Sequence, residues 1–170
     1  MKTLCTAILF AALLPSSAWC ADQPSVKIEP PNLHGSRELE ERTGTAVTKD
    51  YLESWDTLST ALDQNQASSL GLYFTGTALT ELTKTVADQS RIGIHTRYVA
   101  RSHDLQVIFY SPEGLSIQMT DNVEYDEQVM DKDKVLASKS VQRRYLIVMT
   151  PSQVRWQVRI FQAQPGQQPS

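Results

Sequence analysis

Val86-Ala87-Asp88-Gln89-Ser90-Arg91-Ile92-Gly93-Ile94-His95-Thr96-Arg97-Tyr98 is where the hydrophobic rhythm of this chain changes. Up to Gly93 the apolar residues return with the 3.6-residue period of a helix; after it they alternate with the period of two of a strand. Upstream, Val47, Tyr51, Trp55, Leu58 and Leu62 form one amphipathic face, with Thr48 as N-cap, Asp50 in the first turn and Asn65 as the stop. A short turn from Ala67 to Tyr73 follows, and Thr77 caps a second helix with Leu79, Leu82 and Val86 inward. Downstream, Thr96–Tyr110 predicts a long strand with Leu105, Val107 and Phe109 on one face. Ser111-Pro112-Glu113-Gly114 has turn chemistry. Leu115, Ile117, Met119, Val123 and Tyr125 alternate along a second strand. After the polar turn Asp131-Lys132-Asp133-Lys134, Val135 to Met149 makes a third, and past Thr150-Pro151-Ser152-Gln153, Val154, Trp156, Val158 and Ile160 make a fourth.

Helices first, then about four long strands joined by short turns, is an α+β order with an antiparallel sheet, not a βαβ repeat. Strands this long in one small domain must curve strongly. A curved sheet folded over a helix layer encloses a cone.

The ends of the chain read differently. In residues 1–20, Lys2 supplies the positive start, Leu4 to Leu14 is an apolar run in the roughly 7–15-residue range of a signal peptide, and Ala18-Trp19-Cys20 offers small residues around a cleavage site. A spanning helix needs roughly 20 apolar residues, so no integral membrane segment is expected after cleavage. Trp19 before Cys20 does not suit a lipoprotein signal, so periplasmic or secreted localisation is expected. Residues 21–44, with Pro24, Pro30, Pro31 and few large apolar residues, read as a disordered spacer. Residues 45–163 are the domain, and 164–170 a disordered tail.

The only cysteines are Cys5 and Cys20. A chain cleaved after Cys20 forms no disulfide and carries neither thiol catalysis nor a thiolate metal site. Net charge is −3 over the 170 residues, with 16 Lys and Arg against 19 Asp and Glu, and no basic run marks a nucleic-acid footprint. No phosphate-binding glycine loop and no nucleophile elbow is present. His95 and His103 alone make too small a donor set for zinc. Asp121, Glu124, Asp126 and Glu127 alternate over both strand faces where calcium wants one tight loop. No cofactor is expected.

The pattern resembles the nuclear transport factor 2-like superfamily over about residues 46–163. The resemblance rests on the Tyr51–Leu62 helix, the Phe74-Thr75-Gly76-Thr77-Ala78-Leu79 junction, and the meander ending in Arg155-Trp156-Gln157-Val158. The junction is also similar to one subgroup, the partner-binding domain at the intermembrane-space end of chloroplast division proteins and its bacterial relatives. The resemblance implies the cone fold. Superfamily enzymes such as ketosteroid isomerases place a carboxylate base and acidic hydrogen-bond donors inside the cone, and no residue here matches those positions one by one. No catalytic residue is carried over.

The candidate site comes from an irregularity in the strands. Asp121 interrupts an apolar face, and Arg143 and Lys139 share a face with Tyr145. An ordinary register would place Asp121 near Arg143, and the first hairpin would bring His103 or Leu105 beside Asp121. The convergence of His103, Asp121 and Arg143 reads either as a structural ion pair closing the wide end of the cone or as a polar floor in an apolar pocket; in the latter His103 serves as acid–base group oriented by Asp121. Trp55, Trp156, Tyr51 and Phe109 are core, or the lining of a cavity for a small apolar ligand. The leading functional expectation is a non-catalytic exported domain that binds a protein partner, with homodimerisation through the sheets open. The alternative is an isomerase- or dehydratase-type enzyme, or a ligand carrier, using the cone.

Overall fold

The computed structural model describes residues 23–165 except Ser36, so the expected signal peptide and Cys20 lie outside the described residues, as does most of the expected tail. Strand β1 is Ser25–Ile28, helix α1 Glu41–Gln64, helix α2 Gly76–Arg91, β2 His95–Tyr110, β3 Ile117–Asp131, β4 Lys134–Pro151 and β5 Trp156–Ala163, with a 3₁₀ turn at Leu70–Leu72. The strands form one sheet in the order β1-β2-β3-β4-β5. The three hairpin pairs are antiparallel and β1 joins β2 in parallel.

The apolar stripe of α1 packs as its spacing requires: Val47, Tyr51, Trp55, Leu58 and Leu62 are all buried. They meet Leu105, Val107, Ile117, Met119, Val123, Tyr125, Tyr145, Ile147 and Met149 from the sheet. Burial of each large side chain contributes roughly 1.5–3 kcal/mol. Asn65 ends α1 in the left-handed conformation (φ 55°), which asparagine tolerates at this position. Its Nδ2 donates to the Ile94 carbonyl at 2.8 Å, tying the helix end to the start of β2. Ladder irregularities at Ala100/Ser102, Val107/Phe109, Val129/Met130 and Val148/Met149 insert local twist, and such bulges bend long strands over a helix layer.

The glycine of the Phe74-Thr75-Gly76 junction has a steric cause. Phe74 bridges Val158, the Thr75 N–H donates to the Val158 carbonyl at 2.9 Å, and the Val158 N–H donates to Tyr73 at 2.8 Å. Gly76 then turns at φ +55°, where a Cβ would stand 3.2 Å from Arg159 Cγ. The junction thus fastens the start of α2 to β5.

Three expectations are corrected. Helix α1 starts after Glu40, not at Thr48, which is buried inside the helix; the added turns carry no large apolar residue, so periodicity did not register them. Helix α2 is entered from Thr75, not Thr77. The sheet has five strands, the fifth being β1 within the expected spacer. All four of its side chains are exposed, so it enters chiefly through its backbone, and the main chain runs on beside β2 with Glu29, Asn32 and His34 donating to Leu105, Val107 and Ile108.

Candidate functional site

Asp121 is completely buried at the centre of β3, opposite Leu105 of β2 and Tyr145 of β4. A buried carboxylate is tolerated where its lone pairs are satisfied. Its Oδ2 accepts from the Tyr51 hydroxyl at 2.8 Å and lies 2.7 Å from His103 Nδ1, and its Oδ1 accepts from the Asp104 backbone N–H at 3.2 Å. The Tyr51 hydroxyl in turn accepts from Trp55 Nε1 at 2.7 Å. Helix α1 thus sends Tyr51 and Trp55, one turn apart, onto one polar hub formed by β2 and β3. Burial first, and the neighbouring Asp121 charge second, push the Tyr51 hydroxyl well above its ordinary value, so it stays a donor.

Around the hub the cone is filled with rings. Trp55 stands 5.3 Å from His103, 5.9 Å from Tyr125, 5.7 Å from Tyr145 and 5.5 Å from Phe161, ring centre to ring centre. Tyr145 stacks on Phe161 at 4.5 Å, and the hydroxyls of Tyr125 and Tyr145 lie 3.3 Å apart. Beside this packing a groove of about 610 Å³ runs between α1 and β2. It is lined on α1 by Trp55, Asp56, Ser59 and Asp63, and on β2 by Arg97, Tyr98 and His103, while Pro24 and Val26 form its outer wall. Partial burial raises the Asp56 carboxyl above its ordinary value, and His103 opposes that shift. Deeper along the groove, Asp63 takes Arg97 Nε at 3.2 Å and lies 3.0 Å from His95 Nδ1.

Among the sequence candidates, His103, Asp121, Trp55 and Tyr145 come together. Arg143 does not join them. Asp121 faces Tyr145 and Arg143 faces Val123; continued without the irregularity at Val129/Met130 the ladder would set Asp121 against Arg144, so neither register sets it against Arg143. Arg143 is exposed, and the expected Asp121–Arg143 pair is not formed. Trp156 is half-buried elsewhere, against Tyr110, with its backbone N–H on Asp50 at 2.7 Å. Phe109 is half-buried beside Gly35, away from the rings around Trp55. The sequence reading missed Asp56, Ser59 and Asp63. Their spacing of three and four beside the apolar stripe of α1 is the signal that finds them. Among the described residues no three His, Cys, Asp or Glu side chains converge as a metal site, and no helix is long and apolar enough to cross a membrane.

Two helices against a strongly bent five-stranded sheet, with the helix stripe inside the curve, define the nuclear transport factor 2-like fold, and solved structures agree. The intermembrane-space region of chloroplast protein ARC6 superposes with a TM-score of 0.60 at 15% identity, over 75% of this chain and 98% of that one. ActVI-ORFA from Streptomyces coelicolor gives 0.50 at 15% identity, over 71% and 95%. A candidate scytalone dehydratase from Novosphingobium aromaticivorans gives 0.50 at 10% identity, over 74% and 89%. No protein-family model and no curated protein matches the chain by sequence.

Proposed function

We propose that this chain is an exported, non-catalytic interaction domain that binds a protein partner through the outside of its sheet. The observation that carries this reading is the filled cone. Trp55, Tyr51, Tyr125 and Tyr145 are all at most 7% exposed, and they fill the centre of the cone, which leaves the α1–β2 groove beside them as the open space. The Asp121 carboxylate is committed to Tyr51, His103 and the Asp104 backbone, which is the pattern of a buried polar network that fixes a fold. The resemblance to the partner-binding domain of division proteins points the same way, and the likeness to the ARC6 region adds a fold neighbour in a compartment outside the cytosol. The leader-like residues 1–20 support export. Photo-crosslinking from exposed sheet positions in intact cells should give one discrete adduct with another protein. An intact domain that instead co-purifies with a stoichiometric small molecule, found by mass spectrometry after denaturation, would overturn the proposal.

A second reading is favoured by one observation. His103 borders the α1–β2 groove, and its Nδ1 is held by Asp121, which leaves Nε2 as the proton acceptor of the neutral ring. In that reading a small apolar ligand lies against Trp55 and Tyr98, His103 Nε2 takes its proton, and Asp56 faces it across the groove. Exchange of an acidic C–H proton of a bound small ligand with solvent that His103→Gln abolishes, in a variant that still folds, would favour it over the interaction domain.

A further inference from the structure

Both outer ladders of the sheet are incomplete among the described residues. β1 and the backbone following it as far as His34 cover β2 from Ser102 to Ile108. On the other side, β5 covers β4 only from Pro151 to Tyr145. The last bond there is from the Gln164 N–H to the Arg144 carbonyl. Pro165 has no N–H to continue the ladder. From Lys134 to Arg143, no strand among the described residues lies beyond β4. Nearly the whole segment is exposed, including Val135 and Leu136 at about half their surface. An unpaired edge of this length is a template for another extended chain.

Charge selects the occupant. Strand β4 carries Lys134, Lys139, Arg143 and Arg144 and no acidic residue, in a chain whose net charge is −3. Three acids of the neighbouring β3 are already engaged, Glu127 with Lys139, Asp126 with Arg101 and Ser140, and Glu124 with Gln142, while Asp131 lies opposite Lys134 beside the turn. Lys134, Arg143 and Arg144 form no ion pair among the described residues. A second copy added antiparallel would set this basic strand against itself, with Lys134 facing the arginines, and like charges directly opposite are destabilising.

We infer that the free edge of β4, Lys134–Arg143, docks an extended acidic segment of another protein as an added strand. Backbone hydrogen bonds supply the pairing, Val135 and Leu136 the apolar contact, and Lys134, Arg143 and Arg144 the selection for acidic side chains. This rests on the interaction-domain reading and names its surface.

The probe is a labelled synthetic peptide of about ten residues that alternates glutamate with valine, long enough to match the edge. It is compared with a lysine–valine peptide and with a glutamate peptide carrying proline at alternate positions. The glutamate–valine peptide should bind the protein in an anisotropy titration and slow amide exchange in Lys134–Arg143. The triple variant Lys134→Gln, Arg143→Gln, Arg144→Gln should weaken it by about tenfold while unfolding at an unchanged temperature. Equal binding of the proline peptide would reduce the site to surface charge and overturn the added strand. No binding, or binding indifferent to the triple variant, would overturn the inference. A concentration-dependent dimer abolished by a proline in β4 would give the edge to a second copy. If the edge fails while crosslinks to a partner form elsewhere on the sheet, the interaction-domain reading survives without it.

Discussion

The β3–β4 hairpin has two halves that share a backbone ladder and differ in nearly everything else. In the half near β5, Ile117, Met119, Val123, Tyr145, Ile147 and Met149 are sealed against α1, and Asp121 is held in their midst by Tyr51 and His103. In the far half, Lys134 to Ser140 are exposed in succession and the strands are joined by charged pairs such as Lys139–Glu127. Strand length in this hairpin is therefore set by the ladder and its turn, while stability is set by how far the helix layer reaches. The half that holds the fold and the half free to meet a partner are neighbours on one strand pair.

The largest effect that would test this division is in the sealed half. Asp121→Ala leaves the Tyr51 hydroxyl, His103 and the Asp104 N–H without their acceptor, and removing one member of a buried pair costs about 3–5 kcal/mol. Urea unfolding reads it; a loss below about 1 kcal/mol would mean that water reaches the hub. Next comes Tyr51→Phe, which removes one donor to Asp121 and the acceptor of Trp55 Nε1, for a loss of about 1–3 kcal/mol. The matched change in the far half, Val135→Ala, should fall within about 0.5 kcal/mol of no effect. Comparable losses at the two positions would erase the distinction.

The smallest effect is a difference in sign. Burial raises Asp56, beside the groove, above its ordinary value, whereas the Ser140 hydrogen bond and Arg101 lower Asp126, on the far half. A raised carboxyl costs stability as pH rises from its unfolded value to its folded one, so Asp56→Asn should stabilise at neutral pH and not in acid. A lowered carboxyl contributes stability above its unfolded value and loses it as pH falls through the folded one. Asp126→Asn should therefore destabilise at neutral pH and be silent in acid. Melting temperature against pH, compared for the two variants, reads both signs, and a common sign would contradict the assignment.

The fold was legible where side chains report burial. The α1 stripe, the change of period at Gly93 and the turns at Ser111–Gly114 and Asp131–Lys134 carry the helix layer and four strands. It was illegible where only the backbone pairs: β1 has no buried side chain, and the first turns of α1 have no large apolar residue. The site was half legible. Asp121 stands out because it breaks an apolar alternation, and hairpin geometry brings His103 to it. Arg143 went astray because the turn-side register, continued, sets Asp121 against Arg144, and the one extra residue at Val129/Met130 moves that partner on to Tyr145, so Arg143 faces Asp121 in neither register. Tyr51 read as plain core because a phenol at a core spacing does not announce its hydroxyl's partner.

Strand β1 has a consequence for order of assembly. The Ser25 hydroxyl donates to the Arg101 carbonyl 76 residues away, so seating this strand closes a long loop, with no buried side chain to help it. It forms the outer wall of the groove beside His103. The wall of that groove is thus the seam along which the molecule would part most readily.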